Sequence, residues 1–135
     1  MKNPSMQRPL KLGHVHLKTS SLTNSTQFYG SILGLRTRET FQNYRFLHQA
    51  EEHHCLALQT SQRPGLFHLA FEAENLEQLW SVRDRLRGEK HFFHCVDYGI
   101  SQAIYTHDSD GNGIEIFCDT RTSAEQLWRG TTKIC

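Results

Sequence analysis

A faint self-similarity constrains this chain more than any other feature. The stretch HVHLKTSSL, beginning at His14, overlays HLAFEAENL, beginning at His68, with a histidine first and a leucine last in each. The offset is 54 residues, too long for a heptad or a short solenoid repeat and suited to a small supersecondary unit. Both stretches read the same way. A short alternating run predicts a strand, polar residues that can cap a helix follow, and apolar residues at helical spacing come next.

The first strand is expected over 11–18. Ser20 or Ser21 then caps a helix carrying Leu22, Tyr29, Ile32 and Leu33, and Gly34 stands where a helix ends. Three strands are expected at about 35–41, 44–48 and 54–60, and SQRPG (61–65) is turn chemistry. The pattern then restarts with a strand at 65–73. Asn75, with Gln78 three residues on, caps a helix striped by Leu76, Leu79, Val82 and Leu86, which Gly88 can end. Strands follow at about 91–96, 101–107 and 113–118, with a tight turn at SDGN (109–112), and a short helix is expected near 122–129. The fold class is therefore α+β. Two βαβββ repeats, about 11–60 and 65–118, fuse into one curved, half-open mixed β-barrel with the helices outside. Residues 1–10 form an N-terminal arm, 11–120 a single domain, and 121–135 a C-terminal helix and tail.

Composition narrows the function classes. A chain of 135 residues with 37% hydrophobic and 21% charged residues suits one globular domain. A formal net charge of +1 gives no electrostatic case for nucleic acid or for an anionic membrane. No apolar run reaches membrane-spanning length, and the first ten residues lack the apolar stretch of a signal peptide. Cys55, Cys95, Cys118 and Cys135 are widely spaced, so neither a disulfide framework nor a thiolate zinc site is expected, and a reducing cytoplasm is the expected location. Nine histidines are the unusual count.

Side chains alternate across a strand, so parity assigns faces. In the first strand Val15 and Leu17 share one face, while His14, His16 and Lys18 share the other. In the strand that restarts the pattern, Phe67, Leu69 and Phe71 lie opposite Leu66, His68 and Ala70. In the strand near 113–118, Ile114 and Ile116 lie opposite Glu115. The fully apolar faces are expected to pack on helices. A curved sheet would turn the other three faces into one cleft and make His14, His68 and Glu115 a set of two histidines and one carboxylate. Imidazole nitrogen and carboxylate oxygen suit Fe(II), Mn(II), Zn(II) and Ni(II), and three ligands on one side leave open positions. The net positive charge favours an anionic, bidentate oxygen ligand such as a catecholate or an enediolate.

With those residues placed, the chain resembles the vicinal oxygen chelate superfamily, which includes glyoxalase I, bleomycin- and fosfomycin-resistance proteins and extradiol catechol dioxygenases. The carrying segments are LGHVHLKTSSLTNSTQFYGSILGL (12–35), GLFHLAFEAENLEQL (65–79) and IYTHDSDGNGIEIF (104–117). The resemblance implies metal ligands at His14, His68 and Glu115, and puts His16 on the cleft face at a position with no ligand role. The fourth glutamate ligand of glyoxalase I falls at about Ala57, which cannot ligate. The His53-His54 pair before CLAL, and DYGISQAIYTHDSDGNGIEIFCD (97–119), resemble the catechol dioxygenases of the single-module kind. That branch implies Fe(II), a small aromatic or other bidentate substrate, a homodimer, and Tyr105 bonded to the metal-bound substrate oxygen. Tyr98 stands where the branch has a histidine that contacts substrate or oxygen. A tyrosine there still donates a hydrogen bond but shuttles protons poorly near neutral pH, its reference pKa being about 10. His94, four residues earlier, is a candidate substitute. His16 and His54 are the expected substrate contacts, although the EEHH run (51–54) by itself reads as a solvated loop or strand start. Two other readings keep the fold: a metal-dependent isomerase, epimerase or thiol transferase, and a metal-free binding protein of the bleomycin-resistance type.

Overall fold

The computed structural model describes residues 9–128 and 130–135. Most of the expected N-terminal arm (1–10) therefore lies outside the described residues. The elements follow in the order β1 (Lys11–Thr19), α1 (Leu22–Gln27), β2 (Arg36–Phe41), β3 (Tyr44–His48), β4 (Leu56–Thr60), β5 (Gly65–Glu72), α2 (Leu76–Gly88), β6 (His94–Asp97), β7 (Ser101–His107), β8 (Gly113–Asp119) and β9 (Thr132–Lys133). A π-helical turn, Phe28–Ile32, continues α1. The elements make a mixed sheet with few helices; a strand, a helix and three strands lie between Lys11 and Thr60, and again between Gly65 and Asp119.

The described residues form two compact units, one of His14–Leu69 and one that joins 9–13 with the described residues from Ala70 onward, so the division falls inside β1 and inside β5. Strand order is β2-β3-β4-β1-β5 through the first unit and β5-β8-β7-β6-β9 through the second. The sheet is mixed. β1 runs parallel to β4, with Val15 opposite Leu56 and His16 opposite Ala57, while β2–β3, β3–β4, β6–β7 and β7–β8 are antiparallel.

In the first unit Leu47, Leu56 and Leu58 are buried against Val15, Leu17, Leu22 and Tyr29, which places α1 over the apolar face of β1 and β4. Ser21 caps α1 by accepting from the Asn24 N–H at 3.1 Å. The single α-helix expected from Leu22 to Leu33 is α-helical only to Gln27. Beyond that the Leu33 N–H reaches back five residues to the Phe28 carbonyl, a π-type widening that apolar spacing does not encode. Gly34 ends the segment at φ 87°, as a C′ glycine should.

In the second unit α2 lays Leu79, Val82 and Leu86 on Ile104, Ile116 and Ala73. The Asn75 side chain accepts from the Gln78 N–H, which is the predicted cap, and the helix includes Gly88 before stopping at Glu89. Gly13 is required by close approach, because a Cβ there would lie 2.5 Å from the Phe117 ring. Among the described residues no helix is long and apolar enough to cross a membrane.

Three expectations fail. Residues 122–128 form bends, a turn and irregular chain instead of a helix, because Thr122 and Asp119 draw the local polar groups into turn hydrogen bonds with Gln126 and Arg121. Phe67 does not pack on a helix: the residue is 44% exposed and its ring leans on His16 and Lys18. Parity fixes the direction of Cβ, not the resting place of a ring two torsions further out. Cys95 and Cys135 form a disulfide. Pairing of β9 with β6 brings the last residue beside the buried Cys95, a neighbourhood that 40 residues of intervening chain conceal.

Two outcomes follow. Leu79 is fully buried, so Leu79→Ala should lower unfolding free energy in urea by about 2–5 kcal/mol. Thiol titration of the denatured, unreduced protein should find the two free cysteines, Cys55 and Cys118, and all four after reduction. Four without reductant would show that the bond does not form in solution.

Candidate metal centre

The first unit contains a buried histidine pair. His14 on β1 and His68 on β5 are 6% and 5% exposed, and their Nε2 atoms face each other at 3.4 Å. That is long for a strong N–H···N bond. It matches two imidazoles sharing a tetrahedral ion, whose nitrogens at about 2.0–2.1 Å from the metal lie roughly 3.4 Å apart. Alternation explains the arrangement, since Val15 and Leu17 join the α1 core and turn His14 and His16 to the other face.

Around the pair stand the other expected contacts. The His54 ring lies 4.2 Å from that of His14 and 4.9 Å from Phe46. His16 is buried as well; its Nε2 lies 2.9 Å from Gln59 Oε1 and its ring 4.8 Å from His68. Ala57, at the position where the glyoxalase I branch has a carboxylate, is buried between His16 and Phe46 in the strand register.

The EEHH run is not a solvated loop throughout. Arg38 holds the carbonyls of Ala50, Glu52 and His53, and the Glu52 carboxylate accepts from the Gln49 and Ala50 N–H groups. The tied loop turns His53 inward, where it is 7% exposed and pairs with Glu39 at 2.8 Å. Sequence reasoning missed Glu39 and the inward turn of His53; a charge-rich run is usually exposed, and only the Arg38 clamp reverses that here.

The second unit presents a carboxylate. Glu115 on β8 is buried, opposite Ile114 and Ile116, which join the α2 core. Register aligns His94 with Tyr105 and Tyr105 with Glu115 across β6, β7 and β8. The Tyr105 hydroxyl donates to Glu115 Oε1 in a short hydrogen bond. Its single proton is thereby used, so Tyr98, 2.6 Å away, donates to Tyr105 in turn. His94 stacks on Tyr105 with ring centres 5.2 Å apart, and Trp128 meets Tyr98 edge-on. The sequence singled out Tyr105, Tyr98 and His94, and the structure brings these three together beside Glu115.

Burial first, then the charge of Glu115 and the contact with Tyr98, push the Tyr105 pKa well above its ordinary value. An unfolded tyrosine ionises near pH 10, roughly. The folded group keeps its proton above that, so its contribution to stability is intact below about pH 10 and is lost as pH rises further. Tyr105→Phe should remove this alkaline loss. It should also lower stability at neutral pH by about 1–3 kcal/mol, since it takes a donor from a buried carboxylate. Urea titrations of both proteins at neutral pH and above pH 10 check the two effects.

Comparison with known proteins gives a consistent result. Catechol-2,3-dioxygenase of Bacillus subtilis (strain 168) is 28% identical over 131 residues, which are 90% of this chain and 46% of the relative. Biphenyl-2,3-diol 1,2-dioxygenase 3 of Rhodococcus globerulus is 30% identical over 127 residues, 86% of this chain and 67% of the relative. A crystal structure of catechol 2,3-dioxygenase superposes with a TM-score of 0.76 at 18% identity, over 87% of this chain and 42% of that one, a likeness of fold. The chain thus spans about half the length of the Bacillus relative. The family model for the Glyoxalase/Bleomycin resistance protein/Dioxygenase superfamily matches residues 11–116, and the chain belongs to that superfamily.

Proposed function

We propose that this protein is a metal-dependent, extradiol-type dioxygenase that opens the ring of a small catechol with O2, with His14, His68 and Glu115 as the ligands of a divalent metal, Fe(II) first. The observation that carries the reading is the buried His14–His68 pair, whose Nε2 atoms are spaced at 3.4 Å, as for two ligands of one ion. Glu115 supplies the anionic third donor; all three side chains are buried and each offers one ligand atom. The curved, half-open barrel built from two repeats is the arrangement that would unite these donors.

Two neutral imidazoles and one carboxylate leave a divalent metal with net positive charge and open positions for an anionic diol and for O2. The chain's own residues do the rest. Tyr105 fixes Glu115 through Oε1, and Tyr98 backs Tyr105, an outer-shell arrangement that orients a ligating carboxylate. His16 and His54 flank the histidine pair and are the proposed substrate contacts. Alkyl Ala57, buried beside His16, supports this branch over the four-ligand glyoxalase I pattern. The names of the relatives point the same way, each being a ring-cleaving dioxygenase of a catecholic diol.

Anaerobically purified wild type should hold close to one metal per chain by elemental analysis, and His14→Ala and Glu115→Ala should lose it. Fe(II)-loaded wild type should consume O2 with at least one member of a catechol panel. Metal bound without O2 uptake on any catechol would overturn the dioxygenase reading. Metal absent from gently purified wild type would favour a metal-free binding protein.

A further inference from the structure

The second unit carries a segment held by very little except a disulfide. Strand β9 is two residues long, with Lys133 opposite Val96 and Thr132 opposite Asp97 on β6. One more backbone bond, from the Ile134 N–H to the Cys95 carbonyl at 3.1 Å, continues the pairing. Residues 130–135 are all exposed, so the contact buries little apolar surface and contributes little by itself. The Cys95–Cys135 bond joins positions 40 residues apart, and such a bond restricts the undocked chain and so favours the docked one.

The segment covers a phenol. Trp128 meets Tyr98 edge-on with ring centres 5.9 Å apart. Its indole N–H donates to the Gly130 carbonyl at 2.7 Å, which ties the ring to the chain leading into β9. Tyr98 donates to Tyr105, and Tyr105 to Glu115. Upstream, the Arg121 guanidinium is paired with Asp119, which anchors the chain before Trp128 independently of the disulfide. The two cysteines are in unlike places. Cys95 is fully buried in the α2 core with Leu79 and Ile104, whereas Cys135 is exposed. Thiol–disulfide exchange needs access to the sulfur attacked, so the Cys135 side is the open one.

We propose that Cys95–Cys135 is a reducible clasp: a dithiol opens it at Cys135, β9 parts from β6, and Trp128 parts from Tyr98, so that the thiol–disulfide balance of the surroundings sets whether the phenol pair behind Glu115 is covered. A thiolate of the dithiol attacks Cys135 Sγ. The bond between the two cysteines breaks, and Cys95 Sγ leaves with the electron pair and takes up a proton. The second thiol of the reductant, as thiolate, then attacks the reductant's own first sulfur, and Cys135 leaves and is protonated. The dithiol ends as a disulfide, oxidised by two electrons, and the protein gains two thiols, reduced by two electrons. Closing is the same exchange run backwards against a disulfide. The Cys95 thiol stays behind as a small side chain at home in the core. Its apolar setting makes it a slow leaving group, so opening is slow as well as one-sided. The clasp depends neither on a metal nor on the reaction proposed above.

NMR of the wild-type protein reads both contacts without any metal or substrate. Untreated protein should show a protected Ile134 amide and ring-to-ring proton contacts between Trp128 and Tyr98. Dithiothreitol under native conditions, followed by alkylation in denaturant and mass spectrometry, should raise the labelled cysteines from the free pair, Cys55 and Cys118, to all four. The Ile134 amide should then exchange faster by a factor on the order of ten or more, and the Trp128–Tyr98 contacts should vanish, while the Leu79 and Ile104 amides stay protected. Cys135→Ser should show the opened pattern without reductant and be indifferent to it. If that variant does not fold, reduction of wild type gives the same reading. Contacts that persist once both cysteines are reduced, or in folded Cys135→Ser, overturn the proposal, because the segment then holds without its clasp. So does a bond that dithiothreitol opens only in denaturant. Loss of protection at Leu79 and Ile104 on reduction overturns it too, since the bond would then brace the whole core.

Discussion

Burying a carboxylate without compensation costs several kcal/mol, about enough to unfold a small domain, and among the described residues Glu39 and Glu115 are both buried. Much of the surrounding structure answers that cost. Glu39 is paired with His53, and Glu115 accepts from Tyr105, which is backed by Tyr98. Each solution needs aromatic or imidazole groups placed within hydrogen-bond reach on neighbouring strands or a tied loop. The polar faces of the sheet are therefore organised around these two acids, as the apolar faces are organised around Leu47, Leu58 and Leu79.

Cross-strand register makes the comparison between the halves concrete. Aligning CLALQ with GIEIF pairs Ala57 with Glu115, and the registers then pair Phe46 with Tyr105 and Glu39 with His94. One half carries a row of acid, phenyl and methyl; the other carries imidazole, phenol and acid. The same three positions thus build an apolar wall with an acid at its far end in one unit and a hydrogen-bonded carboxylate in the other. In the first unit the acid of the row, Glu39, pairs with His53; in the second the acid, Glu115, accepts from Tyr105.

Much of the fold was legible in the amino-acid order because side-chain periodicity, two residues in a strand and 3.6 in a helix, is a local property of the backbone. Alternation in β1 and β8 separated His14 and Glu115 from their apolar neighbours, and the spacing of Leu79, Val82 and Leu86 marked the face of α2. The tail was not legible. Residues 122–128 carry helix-like composition, yet local turn hydrogen bonds and the pairing of β9 with β6 draw the chain elsewhere, and composition does not report a long-range strand pairing. The Cys95–Cys135 bond, which runs against the expectation of reduced thiols, depends on that same pairing. Of the site, the identities of His14, His68, Glu115, Tyr105 and Tyr98 came from pattern and resemblance, while the burial of His53 did not.

The sequence by itself determined which side chains share a strand face, because the two-residue repeat of a strand is a local property of the backbone. It determined the capping of both helices, since Ser21 and Asn75 act on N–H groups three residues away. Only the tertiary structure decided which polar groups meet. The spacing of His14 and His68 depends on β1 and β5 lying in one compact unit. The direction of the Tyr105 proton depends on the β7–β8 register. The inward turn of His53 depends on a bulge at Arg38 and on a guanidinium that binds three carbonyls of a distant loop. Each of these is a hydrogen bond or contact between segments far apart in the chain, and its strength depends on distances that residue order alone does not contain.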